Sequence, residues 1–205
     1  MAEIDNGEAI ASDLIACKKV LDQANVSWVI MGGVVLGYGR GVGILPWDTD
    51  LDIGIFTEVD DVKWQFIVQN LQLQGFRNVM VQQVDFTYCY RESELNLWTF
   101  HKNGNHYEAF PSTTPGLKFM EKAIWYDEPQ VVEFIGDEYS MPNHITDYLD
   151  CRYGMGWENN IVKNHVDYLV YKRGHQSNQN IWPVGRCGEH GPLWPKILKI
   201  KEEGL

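Results

Sequence analysis

Residues 31–56 read MGGVVLGYGRGVGILPWDTDLDIGIF. Three aspartates stand at alternate positions, Asp48, Asp50 and Asp52, between a tryptophan and an apolar run. On a strand, alternate residues share a face. Asp50 and Asp52 therefore point one way, and Leu51, Ile53 and Ile55 point to a core on the other. Asp48 joins the acidic face if the strand starts early. Two like charges about 7 Å apart on one strand repel unless something neutralises them.

The ordinary fate of a bare D-x-D is a solvated strand edge. The neighbours argue for more. Paired carboxylates clamp a hard cation, and magnesium prefers one or two carboxylates together with phosphates and water. Gly32-Gly33 follows a β-branched apolar run and opens a short helix. Glycines there let backbone amides approach a phosphate, and a helix N-terminus favours an anion. Arg40 sits between the glycines and the aspartates, where a guanidinium can grip a phosphate. Within about 20 residues the chain thus offers a metal clamp, an anion cradle and a cation.

Working outward, residues 8–24 predict a helix with Ile10, Leu14, Cys17 and Leu21 inward, capped by Asp5 or Asn6 and ended by Asn25. Strands are expected at 26–31 and 51–56, with a turn of helix at 34–38 and a glycine-rich loop at 39–43. A helix over 58–73 follows, with Val62, Phe66 and Leu73 inward, Asp60 or Asp61 at its start and Gly75 as its stop. Strands at 76–81, 85–90, 95–100 and 107–110 come next, the last two joined by a hairpin at Asn103-Gly104. A loop at 111–115, a short helix near 117–122, a strand at 131–135 and a helix from Asn143 to Tyr153 follow. Residues 174–195 read as irregular. The element order indicates an α+β domain with a mixed β-sheet flanked by helices.

The chain has 205 residues, 44% of them hydrophobic, enough for one domain with a sizeable core. Its formal net charge of -11 repels nucleic-acid polymers. Any nucleotide partner is then a single small one. No apolar run reaches the length of a membrane span, so the expectation is a soluble, cytoplasmic protein. The cysteines at 17, 89, 151 and 187 form no C-x-x-C pair, so neither a zinc knuckle nor a disulfide framework is indicated. Cys187 and His190 read as loop residues. Trp47 reads as a core or lid residue rather than a stacking platform. Trp157, Asn159 and Asn160 read as helix-end packing, and Lys163, His165 and His175 as surface groups.

The stretch with Gly32-Gly33, Leu36-Gly37, Arg40 and Ile44 to Gly54 resembles the first motif of the LicD/fukutin-related family. That family is itself similar to the DNA polymerase β-like nucleotidyltransferases. LNLWTF at 95–100 resembles its D-L-W-P-F segment, and YLDCRYGMGW at 148–157 its Y-L-x-x-x-Y-G. The resemblance covers residues 26–160, taken as a nucleotidyltransferase-like domain spanning 1–160, with 161–205 as an extension packed on it. It implies transfer of a phosphorylated alcohol, such as phosphocholine or ribitol phosphate, from a CDP- or other NDP-activated donor to a glycan or other hydroxyl acceptor. It implies Mg2+ or Mn2+ as cofactor, Asp50 and Asp52 as metal ligands, and Gly32, Gly33 and Arg40 at the donor phosphates. Asp48 would be an accessory or structural acid.

One position departs from the family's pattern. The third carboxylate of the superfamily falls on Asn96, whose neutral amide is a poor base and a weaker ligand. Three readings stay open. Glu94, on the same face as Asn96, or Glu108, if the hairpin parity allows, substitutes for it. Alternatively the first-motif acids work with a weakened base. Or the protein is a pseudoenzyme that binds a nucleotide or glycan. Transfer of NMP to a small molecule is the competing enzyme reading.

Overall fold

The computed structural model describes residues 6–82, 85–109, 119–153 and 157–158. Helix α1 (Asn6–Gln23) buries Ile10, Leu14, Cys17 and Leu21, as their spacing predicts. Asn25 ends it in the left-handed region at φ 52°, a conformation asparagine tolerates better than most residues. Strand β1 (Trp28–Ile30) leads through Gly32, at φ 66°, into helix α2 (Gly32–Gly39). Strand β2 (Asp50–Ile55) follows, then helix α3 (Asp61–Leu73) and strands β3 (Arg77–Gln82), β4 (Phe86–Tyr90) and β5 (Glu94–Thr99). These strands form one sheet in the order β1-β2-β5-β4-β3. The pair β2–β5 is parallel and the other pairs are antiparallel, so the expected mixed sheet is present.

One face of this sheet carries Leu51, Ile53, Ile55, Thr87, Cys89, Leu95 and Leu97, all buried in the core with α1. The other face carries the acids. Two smaller sheets complete the structure. One joins β6 (His101–Asn103), β7 (His106–Ala109) and β8 (Phe119–Lys122). The other is the hairpin of β9 (Gln130–Phe134) and β10 (Asp137–Met141), which packs Tyr139 edge-on to Trp28 and Phe134 edge-on to Tyr38. Helix α4 (Ile145–Tyr153) closes the described chain.

Several expectations need correction. Helix α3 turns Ile67 and Leu71 inward, while Val62 and Leu73 are 77% and 80% exposed and Phe66 is also exposed. The 62/66/73 spacing is helical, but a second apolar row fits the same helix and packs instead. Asp60 caps α3, accepting from the Lys63 amide at 2.7 Å. Residues 119–122 are strand, not helix, held by pairing to β7. The hairpin turns at Gly104-Asn105, with His101 opposite Glu108. The chain leaves the main sheet at Phe100, so Glu108 lies in a different sheet from Asn96 and hairpin parity does not relate them. Cys17 and Cys89 are free thiols. Among the described residues no helix is long and apolar enough to cross a membrane. Asp5, the loop at 111–115, Asn159, Asn160, Lys163, His165, His175, Cys187, His190, the irregular stretch 174–195 and the extension at 161–205 lie outside the described residues.

Candidate active site

The site is built on the face of β2 opposite the core. Asp50 and Asp52 project from it side by side, as alternation requires. Parallel register sets Asp50 beside Glu94 and Asp52 beside Asn96 on β5. The Asn96 amide Nδ2 donates to Asp50 Oδ2 at 3.3 Å and to Asp52 Oδ1 at 3.1 Å. The indole Nε1 of Trp98 adds a longer contact to Asp52 Oδ1 at 3.4 Å. Asn96 therefore supplies the positive end of an amide dipole between two carboxylates.

The glycine pair lies against the same carboxylates. A Cβ on Gly32 would stand 2.6 Å from Asp52 Oδ2, and one on Gly33 only 2.0 Å from Asp48 Oδ2. Only glycine lets the first turn of α2 sit this close to the acids. The positive pole of a helix stabilises carboxylates placed there. Strand β2 starts at Asp50, so Asp48 is off the strand. It is buried against Gly33, with its Oδ1 accepting from the Thr49 amide. Gly33→Ala is expected to break this packing, cutting soluble yield and ligand binding together. Asp48→Ala in the same chain is expected to restore the fold, read by the thermal midpoint.

Gly32 does not present its amide to a ligand. That N–H donates to the Tyr148 hydroxyl of α4 at 3.0 Å. Tyr148 is buried, and burial pushes its hydroxyl up to about 12. Behind it lies a buried network that sequence reasoning missed. Glu121 on β8 accepts from Arg152 Nη1 at 2.8 Å and from the Tyr126 hydroxyl at 3.1 Å. Burial pushes the Glu121 carboxyl up, Arg152 and Tyr126 oppose that push, and the charge of Asp52 adds to it. Its signal was hidden because 117–122 reads as helix, which leaves Glu121 without a sheet partner. Phe56, stacked on Phe100 and Tyr126, lines the same end of the site.

Arg40 is not brought to the glycine pair. It caps the far end of α2, about 12 Å along the axis from Gly32. Its Nε and Nη2 donate to the Trp157 carbonyl at 2.8 and 2.6 Å. The guanidinium expected at a phosphate instead ties α2 to the segment after α4. Trp47 is half-buried and packs on the core, as expected.

Among the described residues no group of three or more His, Cys, Asp and Glu is assembled to hold a metal. What the site offers is two carboxylates and one carboxamide, all hard donors once the amide turns its oxygen inward. That set suits a magnesium-like ion, which binds few protein ligands and keeps phosphate and water for the rest.

A model of the LicD/FKTN/FKRP nucleotidyltransferase domain matches residues 25–150. The chain is 24% identical over 190 residues to the mouse (Mus musculus) ribitol-5-phosphate transferase FKTN, covering 89% of this chain and 38% of that protein. It is 28% identical over 159 residues to the human (Homo sapiens) ribitol 5-phosphate transferase FKRP, covering 67% of this chain and 29% of that one. The chain thus spans well under half the length of these relatives. Among solved structures it is similar to the lincosamide antibiotic adenylyltransferase LnuA, crystallised with lincomycin bound, with a TM-score of 0.50. At 13% identity, over 78% of this chain and 94% of that one, this likeness concerns the fold alone.

Proposed function

Since this chain belongs to the LicD/FKTN/FKRP family, through its nucleotidyltransferase domain, we propose that it transfers a phosphorylated alcohol from an NDP-activated donor to a hydroxyl acceptor. A CDP-linked donor of phosphocholine or ribitol-phosphate type, a glycan acceptor and Mg2+ or Mn2+ complete the reading. The observation that carries it is the pair Asp50 and Asp52 on one strand face, with the first turn of α2 against them.

In this reading Asp50 and Asp52 would hold the cation, and Asn96 would lend its amide oxygen. When bound, the cation offsets charge on the pyrophosphate and on the leaving phosphate. The N-terminal pole of α2, beyond the Gly32 amide, favours the donor phosphates. Glu94, beside Asp50 in register, takes the proton of the acceptor hydroxyl. The acceptor oxygen forms a bond to the phosphorus bearing the alcohol. The bond from that phosphorus to the bridging oxygen breaks, and NMP leaves. Positioning and electrostatics supply most of the rate.

The test is incubation with magnesium or manganese and a panel of CDP-alcohols and NTPs, with and without glycan acceptors. CMP released from a CDP-alcohol is the expected result. Pyrophosphate released from an NTP would point instead to NMP transfer. Binding without turnover, unchanged by Asp50→Ala, would mark a pseudoenzyme and overturn the proposal.

A further inference from the structure

The open face of the main sheet has an order that the acids alone do not explain. Register lines its residues up in three rungs across β2, β5 and β4. They are Asp50–Glu94–Tyr90, Asp52–Asn96–Tyr88 and Gly54–Trp98–Phe86. Read along the strands, the rungs become columns. The β2 column is acidic, the β5 column is polar where it adjoins the acids, and the β4 column is aromatic throughout. The β4 run is FTYCY, residues 86–90, whose alternate members Thr87 and Cys89 are buried in the core. Its three rings therefore share the face of Asp50 and Asp52. Phe86 is engaged with Trp98, ring centroids 4.3 Å apart. Tyr90 is 47% exposed and Tyr88 half-buried.

We propose that the nucleoside of the donor lies across these columns, with its base stacked on Tyr88 and its ribose over Asn96. This rests on the nucleotide-donor reading above. Adjacent strands lie about 4.8 Å apart, so the aromatic column is about 10 Å from the acids. A nucleoside phosphate has the matching sequence of parts: a charged phosphate, a ring of hydroxyls, then a flat π-system. Phosphate belongs at the cation and α2. Ribose hydroxyls meet the NH2 of the Asn96 amide, whose oxygen faces the cation in the reading above. The base meets a ring. Asn96 is neutral, so an uncharged group suits the place over it. Stacking tolerates any base, so this column sets affinity for a nucleoside and not the choice among bases.

The experiment is calorimetric titration of the full chain with CMP and with ribose 5-phosphate, both with Mg2+, for wild type, Tyr88→Phe and Tyr88→Ala. The two ligands share phosphate and ribose and differ in the base. Tyr88→Ala is expected to weaken CMP about tenfold and to leave ribose 5-phosphate unchanged. Tyr88→Phe keeps the ring and is expected to bind CMP within about twofold of wild type. Unchanged CMP affinity in Tyr88→Ala overturns the stacking, including the case where only a glycan acceptor's KM rises. Equal weakening of both ligands also overturns it. If wild type binds neither ligand, the donor reading itself fails, and the distinction is visible before any variant is made.

Discussion

Asp52→Asn is expected to cut turnover of a CDP-alcohol by about three orders of magnitude, the loss typical when a charge-stabilising group is removed from a reacting centre. The residue is half-buried, receives Asn96 and Trp98 as donors, and stands 2.6 Å from where a Gly32 Cβ would be. An asparagine there keeps the volume but loses the charge proposed to hold a cation. It also removes repulsion from Asp50, so the thermal midpoint is expected to hold or rise. Activity and stability thus move in opposite directions. Kinetics paired with thermal melts would check this, and full activity with a lowered midpoint would make Asp52 a structural residue only.

Asp13→Ala is expected to have the largest effect on stability, about 3 kcal/mol, as when one partner is removed from a buried charged cluster. For a chain of this size that lowers the thermal midpoint by about 6–12 °C. Asp13 is fully buried on α1 and holds the β4–β5 turn. It accepts from the Ser93 amide at 2.7 Å, the Ser93 hydroxyl at 2.9 Å, the Glu92 amide and the Arg91 guanidinium. Truncation leaves the Ser93 amide and hydroxyl buried without this acceptor. Burial, the largest influence, raises its carboxyl above 3.8 despite them. A raised folded value contributes stability that is full below 3.8 and is lost as pH rises through the raised value. Relative to Asp13→Asn, wild type is therefore expected to gain stability as pH falls toward 3.8. Urea titrations of both chains across that window would measure the difference.

The acid pair and the mixed sheet were legible because two-residue alternation is a local signal. Asp50 and Asp52 needed no knowledge of the rest of the chain, and neither did Ile10, Leu14, Cys17 and Leu21. What was not legible was whatever depends on distant partners. Arg40 reads as a phosphate ligand from its place between motifs, but the Trp157 carbonyl, 117 residues away, claims it. Gly32 reads as an amide cradle, but Tyr148 takes that N–H. Asp13 lies among apolar positions of α1, and its partners come only from the β4–β5 turn, 78 to 80 residues away. Val62, Phe66 and Leu73 on α3 show the remaining difficulty. Two apolar rows fit one helix, and only the sheet decides which of them is covered.

The parallel pairing of β2 with β5 also bears on when the site comes into being. Asp52 and Asn96 are 44 residues apart in sequence, and α3, β3 and β4 lie between them. Closing so long a segment costs entropy before any contact repays it, so pairings of this kind form slowly. The acids on β2 therefore lack Asn96 and Glu94 until the whole excursion has returned. A chain caught partway would hold a formed β1–β2 hairpin with α2 and still lack the face proposed for a nucleotide. Regain of nucleotide affinity after dilution from urea should then trail the recovery of helical signal, making affinity itself a clock for the last strand to dock.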